Sequence, residues 1–521
     1  MVTSSSPLDA LAQASVAVAA TRARTQKTAR LAALLRGIAD HEVTLAVHYL
    51  TGTAPQGKIG VGYAMVSRAC ELPPAASPTL TLADVDGALT AIASAHGPGS
   101  GKQRETTLGA LFARATGAER DLLVGVLTGE LRQGALDGVM VAAIASAEHL
   151  DEGLIRRGFM MSGDLARIAG AARSGGAPAV AAFGLALFRP VLPMLAQVAD
   201  DVPSALAALA DPILEHKLDG ARVQLHKDGD VVRVYSRGGL DVTTAAPELI
   251  SLGLALPTRR AVLDGEAIAL RADGRPRVFQ ETMRRFGRST DDPALRAEMP
   301  LVARWFDCLL VDDDDVIDRP GRDRRAALAS IAPAETLVAS LVTRDEAAAE
   351  AFLAAAFAAG HEGVMAKDLD ASYAAGNRGS SWLKIKKVHT LDLVVIAVEP
   401  GSGRRRGWLS NLHLAARDPA GGFVMLGKTF KGMTDELLDW QTRELGARAT
   451  SRDGHVVHVR PELVVEIAFS DVQRSPQYPG GLALRLARVI RYRPDKTAAE
   501  AATVDDVRAI AVADGVLEPG F

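Results

Sequence analysis

The chain is poor in several things that would have placed it quickly. Its two cysteines, Cys70 and Cys308, are too few for a zinc ribbon or a disulfide framework, so the sequence fits a reducing cytosol. The longest uncharged stretch, near residues 175–188, falls short of the roughly 18 apolar residues a membrane span needs. Arg22, Arg24 and Lys27 near the start have no apolar core behind them, which excludes a secretory signal. No internal repeat is visible. There is also no charge excess: 59 basic residues stand against 62 acidic ones, a net charge of −3, so the chain as a whole is no polyanion binder. Local basic surfaces remain open, because the distribution of charge rather than its sum steers a nucleic acid.

What is present is an ordinary globular composition, 48% hydrophobic and 23% charged, on a chain of 521 residues. That length is too great for one core and predicts about three domains. Residues 1–190 read as helical. Leu31, Leu34, Leu35 and Ile38 fall at i, i+3, i+4 and i+7, and Val43, Ala46, Val47 and Leu50 repeat the spacing. Between Thr128 and Gly138 three glycines and Arg132 interrupt the helices, where backbone amides could approach phosphates or simply form a turn. Prolines at 190 and 193 end the helical pattern. Residues 191–387 then alternate strands with short helices, including a helix expected over Leu337 to Gly360. Residues 388–521 read as short strands separated by glycine-rich turns, the pattern of a small barrel.

The chemistry centres on Glu215-His-Lys217-Leu-Asp-Gly-Ala-Arg222. Arg222–His226 and Val231–Tyr235 read as a hairpin turning through Lys227-Asp-Gly-Asp230, which puts Lys217 at the mouth of a sheet. Such a lysine is either an incidental surface residue or an aimed amine. An amine with the ordinary pKa of ~10.4 is protonated at neutral pH, so a nucleophilic role asks for cations nearby; Lys384, Lys386, Arg222 and a bound metal are candidates. Glu266, in an apolar strand, and Glu362, beside a glycine, suit a metal, sugar hydroxyls or a plain salt bridge. Phe306 is a core residue unless a purine needs a stacking face. Arg404–Arg406 and Lys428–Lys431 are either phosphate contacts or solvated turns. The run Asp312–Asp315 reads as an exposed turn.

In order, these segments resemble the motifs of the ATP-dependent DNA ligases, members of the lysine-nucleotidyltransferase superfamily. Lys217-Leu-Asp-Gly-Ala-Arg222 resembles the first motif, Leu263-Asp-Gly-Glu266 the third, and Trp305-Phe306-Asp307 the aromatic motif after it. Glu362-Gly-Val-Met-Ala-Lys367 is similar to the fourth, Trp382-Leu-Lys384-Ile-Lys386 to the fifth and Arg488-Val-Ile-Arg491-Tyr-Arg493-Pro-Asp495-Lys496 to the sixth. The segments Gly129–Gly138, Pro190–Ala196 and Asp471–Pro479 resemble the bacterial and archaeal form. Pro494 departs from a position that is often charged in the family.

The resemblance implies a multidomain α+β protein: an all-α DNA-binding domain over 1–190, an adenylation domain over 191–387 and an OB-fold β-barrel over 388–521. It implies a monomer, cytoplasmic and associated with the nucleoid, that seals nicks in duplex DNA with ATP and Mg²⁺ or Mn²⁺. Lys217 would be adenylated, Glu215 would read the adenine amine and Phe306 would stack on the ring. Arg222 and Glu266 would hold the ribose, and Glu266 and Glu362 would serve the metal. Arg237, Arg378, Lys384 and Lys386 would meet phosphates, while Arg491, Arg493, Asp495 and Lys496 would orient pyrophosphate. The barrel would have to swing about Lys387–His389, since the last motif and the DNA compete for one face. An RNA ligase or capping enzyme would share Lys217 without needing the helical half. An NAD-dependent ligase lacks support without zinc cysteines, and a non-catalytic nick binder would not need Lys217, Glu362 and Lys384 together.

Overall fold

The computed structural model describes residues 5–131, 137–286, 292–375, 379–402 and 405–518. Up to Ala181 the described chain is helical, from Leu8–Ala19 to Leu165–Ala181. Apolar residues at helical spacing build one core: Leu31 and Leu35 of Arg24–Gly37 meet Ala46, Val47 and Leu50 of Val43–Leu50. Thr81 and Thr116 each form a capping box with the acid three residues on, which fixes where two of these helices begin. The uncharged stretch begins within Leu165–Ala181, where Gly176, at φ 59°, kinks the helix just ahead of Pro178. No described helix is long and apolar enough to cross a membrane.

The junction after this bundle is packed rather than loose. Val191 N–H donates to Gln224 Oε1 (2.8 Å), Phe188 N–H to His226 Nδ1 (3.0 Å) and Met194 N–H to the Tyr373 hydroxyl (3.1 Å). Burial pulls the His226 imidazole down to about 3, so it stays neutral and free to accept that bond. Met160 and Met161 from the bundle, with Val191 and Met194, join Leu309, Tyr373 and Trp382 in one apolar cluster.

Two sheets make the middle of the chain. In the first, Gln197–Val198, Trp382–Lys386, Gly363–Asp368, Pro212–Lys217 and Ser340–Val342 lie side by side in that order. In the second the order is Val231–Ser236, Ala221–Asp228, Arg260–Ala269, Leu301–Val311 and Asp314–Asp315. The expected hairpin is there, with Val223 opposite Ser236 and Gly229 at φ 57° in the turn. The exposed turn expected over Asp312–Asp315 is confined to Asp312 and Asp313, since Asp314–Asp315 pair back on Leu310–Val311 as a short strand, and Asp312 caps the N–H groups of Arg259 and Arg260. The helix expected over Leu337 to Gly360 is shorter. Ser340–Val342 is an edge strand against Ile213–Glu215, and the helix runs Glu346–Ala358 from an Asp345 cap. Alanine richness hid the strand; the aspartate marks the true start.

The last region is strand-rich. His389–Pro400 is its spine, pairing with Leu409–Arg417, Val456–Val459 and Val464–Phe469. Two helices that strand spacing did not predict, Asp435–Ala447 and Val504–Ala513, cover it through Leu438, Leu445, Val507 and Ala511. The ladders among the described residues do not close into a ring. A lone main-chain bond, Val489 N–H to Lys431 O (3.0 Å), nevertheless links the segment after Phe423–Thr429 to Arg488–Tyr492.

Candidate active site

Strand geometry alone assembles the site. Side chains alternate across a strand, and here Lys217 pairs with Gly363 and Glu215 with Met365, while Lys386 pairs with Gly363 and Lys384 with Met365. Glu215, Lys217, Lys367, Trp382, Lys384 and Lys386 therefore share one face. Leu214, Val364, Ala366, Leu383 and Ile385 point the other way, into a buried cluster with the helix Glu346–Ala358. In the second sheet Arg222 pairs with Glu266, and Glu266 with Arg304. Gly220 allows the sheets to close on each other, because a Cβ there would lie 2.4 Å from Ala267 O.

On this floor the Lys217 ammonium is ion-paired with Glu362, whose other oxygen is 3.3 Å from Lys386 Nζ. Burial pushes the Glu362 carboxyl up, and Lys217 and Lys386 together pull it down further, so it rests below its ordinary value. The Glu362 N–H donates to Lys217 O (3.0 Å). Glu266 accepts from Gly220 N–H (3.2 Å); burial pushes its carboxyl up to about 7 against the pull of Arg222 and Lys217.

Next to the lysine lies a slot lined by Glu215, Phe306, Lys367 and Trp382. Glu215 is buried and held by Lys367 Nζ (2.6 Å) and Arg325 Nη1 (3.1 Å). Phe306 stands edge-on to Trp382, with ring centroids 6.0 Å apart. Arg222 turns inward: it forms a two-pronged pair with Asp264 (3.0 and 2.7 Å) and donates to Met194 O (2.6 Å). Its burial disfavours the cation, yet Asp264 and Tyr373 more than offset this and leave it firmly protonated.

The third region reaches the same floor. Arg485 bridges Asp219 (2.8 Å) and Asp471 (3.0 Å), its guanidinium lies 4.4 Å from the Phe279 ring, and Ser470 Oγ is 2.6 Å from Lys386 Nζ. Between them is a cleft of about 720 Å³ that opens onto Asp219, His361 and Glu362.

Of the residues singled out from sequence, Lys217, Glu215, Glu266, Phe306, Glu362, Lys384 and Lys386 come together, and Arg222 lies beneath them. Arg237 is exposed on the turn after Val231–Ser236, and Arg378 lies outside the described residues, as do Arg132 to Leu136 and Arg404. The last group stays on the third region: Arg491 pairs with Glu466 (2.7 Å), Arg493 with Asp392 (2.9 Å) and Asp495 (2.7 Å), and Lys496 with Asp392 (2.6 Å). Sequence reasoning gave no role to Lys367, Trp382, Asp264, Asp219 or Arg485. A lysine alternating with Met365 inside an apolar strand was the signal for the first.

Comparison with known proteins agrees with this geometry. Residues 193–386 match the family model for the ATP dependent DNA ligase domain, 405–496 that for the ATP dependent DNA ligase C terminal region, and 60–145 that for the DNA ligase N terminus. A protein of Anaeromyxobacter dehalogenans named "Probable DNA ligase" is 56% identical over 505 residues, covering 96% of this chain and 98% of its own length. A protein of the same name from Streptomyces griseus is 54% identical over 503 residues, covering 95% of this chain and 98% of its own. A solved structure described as Pmar-Lig_Pre shares the fold at TM-score 0.60 and 18% identity, covering 93% of this chain and 99% of its own. Lys217 and Glu362 at the floor, the slot lined by Glu215, Phe306 and Trp382 beside them and full-length likeness on both sides lead to one conclusion: the chain belongs to the ATP-dependent DNA ligases.

Proposed function

We propose that Lys217 is the nucleophile of this ligase and that the floor around it carries all three phosphoryl transfers. The observation that carries the reading is the cluster Lys217–Glu362–Lys386 directly beside the Glu215–Phe306–Trp382 slot. Lys217 Nζ attacks the α-phosphorus of ATP; the N–P bond forms, the bond to pyrophosphate breaks and the amine proton leaves. The AMP passes to a 5′-phosphate, and the 3′-hydroxyl then displaces it. Each transfer asks mainly for alignment and charge neutralisation, which Lys384, Lys386, Arg237 and Arg378 supply.

The slot favours adenine. Glu215 offers an acceptor and Lys367 a donor, 2.6 Å apart, which matches the amino group and N1 of adenine. Guanine would set its O6 against the carboxylate and its N1–H against the ammonium. Phe306 supplies the stacking face and Glu266 the ribose contact. Glu362, with the buried Glu266 near Lys217, suits magnesium or manganese, since such ions use one or two carboxylates and borrow phosphate oxygens. When bound, the ion would neutralise phosphate charge and draw the Glu362 carboxylate from the amine.

The third region is read as an OB-fold, with the Val489–Lys431 bond marking where its two open edges approach, and the chain is divided at about 190 and 387. Its substrate is nicked duplex DNA, which the three domains of a monomer surround at the nucleoid. Arg491, Arg493, Asp495 and Lys496 act only when this domain swings toward the nucleotide, with Lys387–His389 as hinge. Incubation with α-labelled ATP and intact-mass analysis test the core of this reading. The expected result is one acid-labile AMP on the wild type and none on Lys217→Ala or Lys217→Arg, since a guanidinium does not deprotonate at working pH. Label retained on either variant overturns it.

A further inference from the structure

The second sheet brings to the floor around Lys217 a cation that the reading so far does not use. Arg304, in Leu301–Val311, lies opposite Glu266, and Glu266 lies opposite Arg222, so two arginines flank one glutamate in a row across three strands. Residues paired across strands share a face. Ala303 and Trp305, on either side of Arg304, are buried in the core on the opposite face, which turns Arg304 toward the side of Glu266. The Arg222 guanidinium lies 5.4 Å from the Phe306 ring, so this side is the one that borders the slot.

The two arginines of the row differ in what they hold. Arg222 is fully engaged, by both oxygens of Asp264, by Met194 O and by the Tyr373 hydroxyl. Arg304 is half-buried, and its one hydrogen bond among the described residues runs from Nη1 to the carbonyl of Ala303 next to it (3.0 Å). No carboxylate among the described residues comes within ion-pair reach of it; burial disfavours its charge, and Glu335 opposes this only in part. The guanidinium stands at the lysine end of the slot. Burial, His216 and then Arg304 pull the His361 imidazole down to about 4, and His361 immediately precedes Glu362. A half-buried guanidinium with most of its donors unmet is unfavourable until something supplies acceptors.

Resting on the ligase reading above, we infer that Arg304 is a specificity-determining residue that donates to the ribose hydroxyl oxygens of the nucleotide beside Glu266. With the base at Glu215 and Lys367 and the α-phosphate at Lys217, the sugar falls between them, at the level of this row. A vicinal diol suits a carboxylate and a guanidinium side by side, since Glu266 accepts from one hydroxyl while Arg304 donates to the oxygen of the other. Arg222, tied to Asp264 and Met194, braces the row from below and leaves the sugar to Arg304. A sugar without hydroxyls leaves the guanidinium unmet, so the site selects against it.

The test uses full-length protein and compares ATP with 2′,3′-dideoxy-ATP, which lacks both hydroxyls, and with GTP, which differs only in the base. In self-adenylation, Arg304→Ala should lower the kcat/KM preference for ATP over the dideoxynucleotide at least about tenfold, while its preference for ATP over GTP stays within about twofold of wild type. Arg304→Lys, which keeps a donor, should fall between the two. Calorimetric Kd values on Lys217→Ala and on Lys217→Ala with Arg304→Ala, neither able to react, should show the same loss of sugar preference, and they keep the test readable if Arg304→Ala turns over too slowly. An equal loss with all three nucleotides, as a phosphate contact or a damaged fold would give, overturns the inference. So does a sugar preference within about twofold of wild type in Arg304→Ala. Absence of adenylation in the wild type would instead strike the ligase reading, and the Kd values judge Arg304 apart from it.

Discussion

Glu215 and Lys367 lie 2.6 Å apart on adjacent strands, a buried carboxylate and a buried ammonium sharing one end of the slot they line with Phe306 and Trp382. Arg325 holds the other Glu215 oxygen at 3.1 Å. The pair is thus fixed before any nucleotide arrives. Removing one partner would leave the other buried and unpaired, which costs more than a lost contact.

Glu215→Ala should lower the rate of self-adenylation with ATP by on the order of 10²-fold and narrow the preference for ATP over GTP, because a site that pairs buried polar groups with a base rejects the wrong one strongly. Measuring kcat/KM with both nucleotides checks this. A preference left intact would remove Glu215 from base reading.

The packed junction separates two truncations. A chain of residues 183–521 keeps Phe188, Val191 and Met194, and with them the bonds to His226, Gln224 and Tyr373. It should adenylate normally yet seal nicks on the order of 10²-fold more slowly if the helical region grips DNA as proposed. A chain of residues 197–521 also loses Met194 O from Arg222 and should be impaired in adenylation too. Parallel adenylation and nick-sealing assays separate the two.

Burial pushes the Asp471 carboxyl up to about 6, and Arg485 only partly opposes it. The folded protein therefore binds this proton more tightly than the unfolded chain, whose value is near 3.8. The favourable contribution is full below that lower value and is lost as pH rises through about 6. Asp471→Asn should gain melting temperature relative to wild type on going from about pH 5 to about pH 8. A difference that is flat with pH, or of opposite slope, would refute the assignment.

Arg491 is exposed and paired to Glu466 in this arrangement. If it serves the nucleotide after the domain swings, Arg491→Ala should slow adenylation at least about tenfold while barely affecting the sealing of pre-adenylated DNA. Equal losses in both assays would place it on the DNA instead.

Much of the active site was readable because strand spacing is rigid. Once Lys217, Gly363 and Lys386 were paired, alternation alone put the other cations on the same face. What could not be read was the fate of side chains that choose between partners. Arg222 turned to Asp264, a residue 42 positions away, and no local pattern announces such a pair. The edge strand Ser340–Val342 was lost in alanine-rich surroundings, and Asp435–Ala447 in a region whose strands dominated the pattern. The link from Arg485 to Asp219 spans 266 positions and depends on how two domains meet.

Glu362 has one more property. Its N–H bonds the carbonyl of Lys217, and its own carbonyl accepts from Lys387 N–H at 3.4 Å, so the proposed nucleophile and the proposed pivot are stitched to the same residue. A door hung at the centre of a room sweeps its outer edge widely and hardly disturbs the post. Large excursions of the third domain can in this way trade one set of ligands for another while the amine keeps its place.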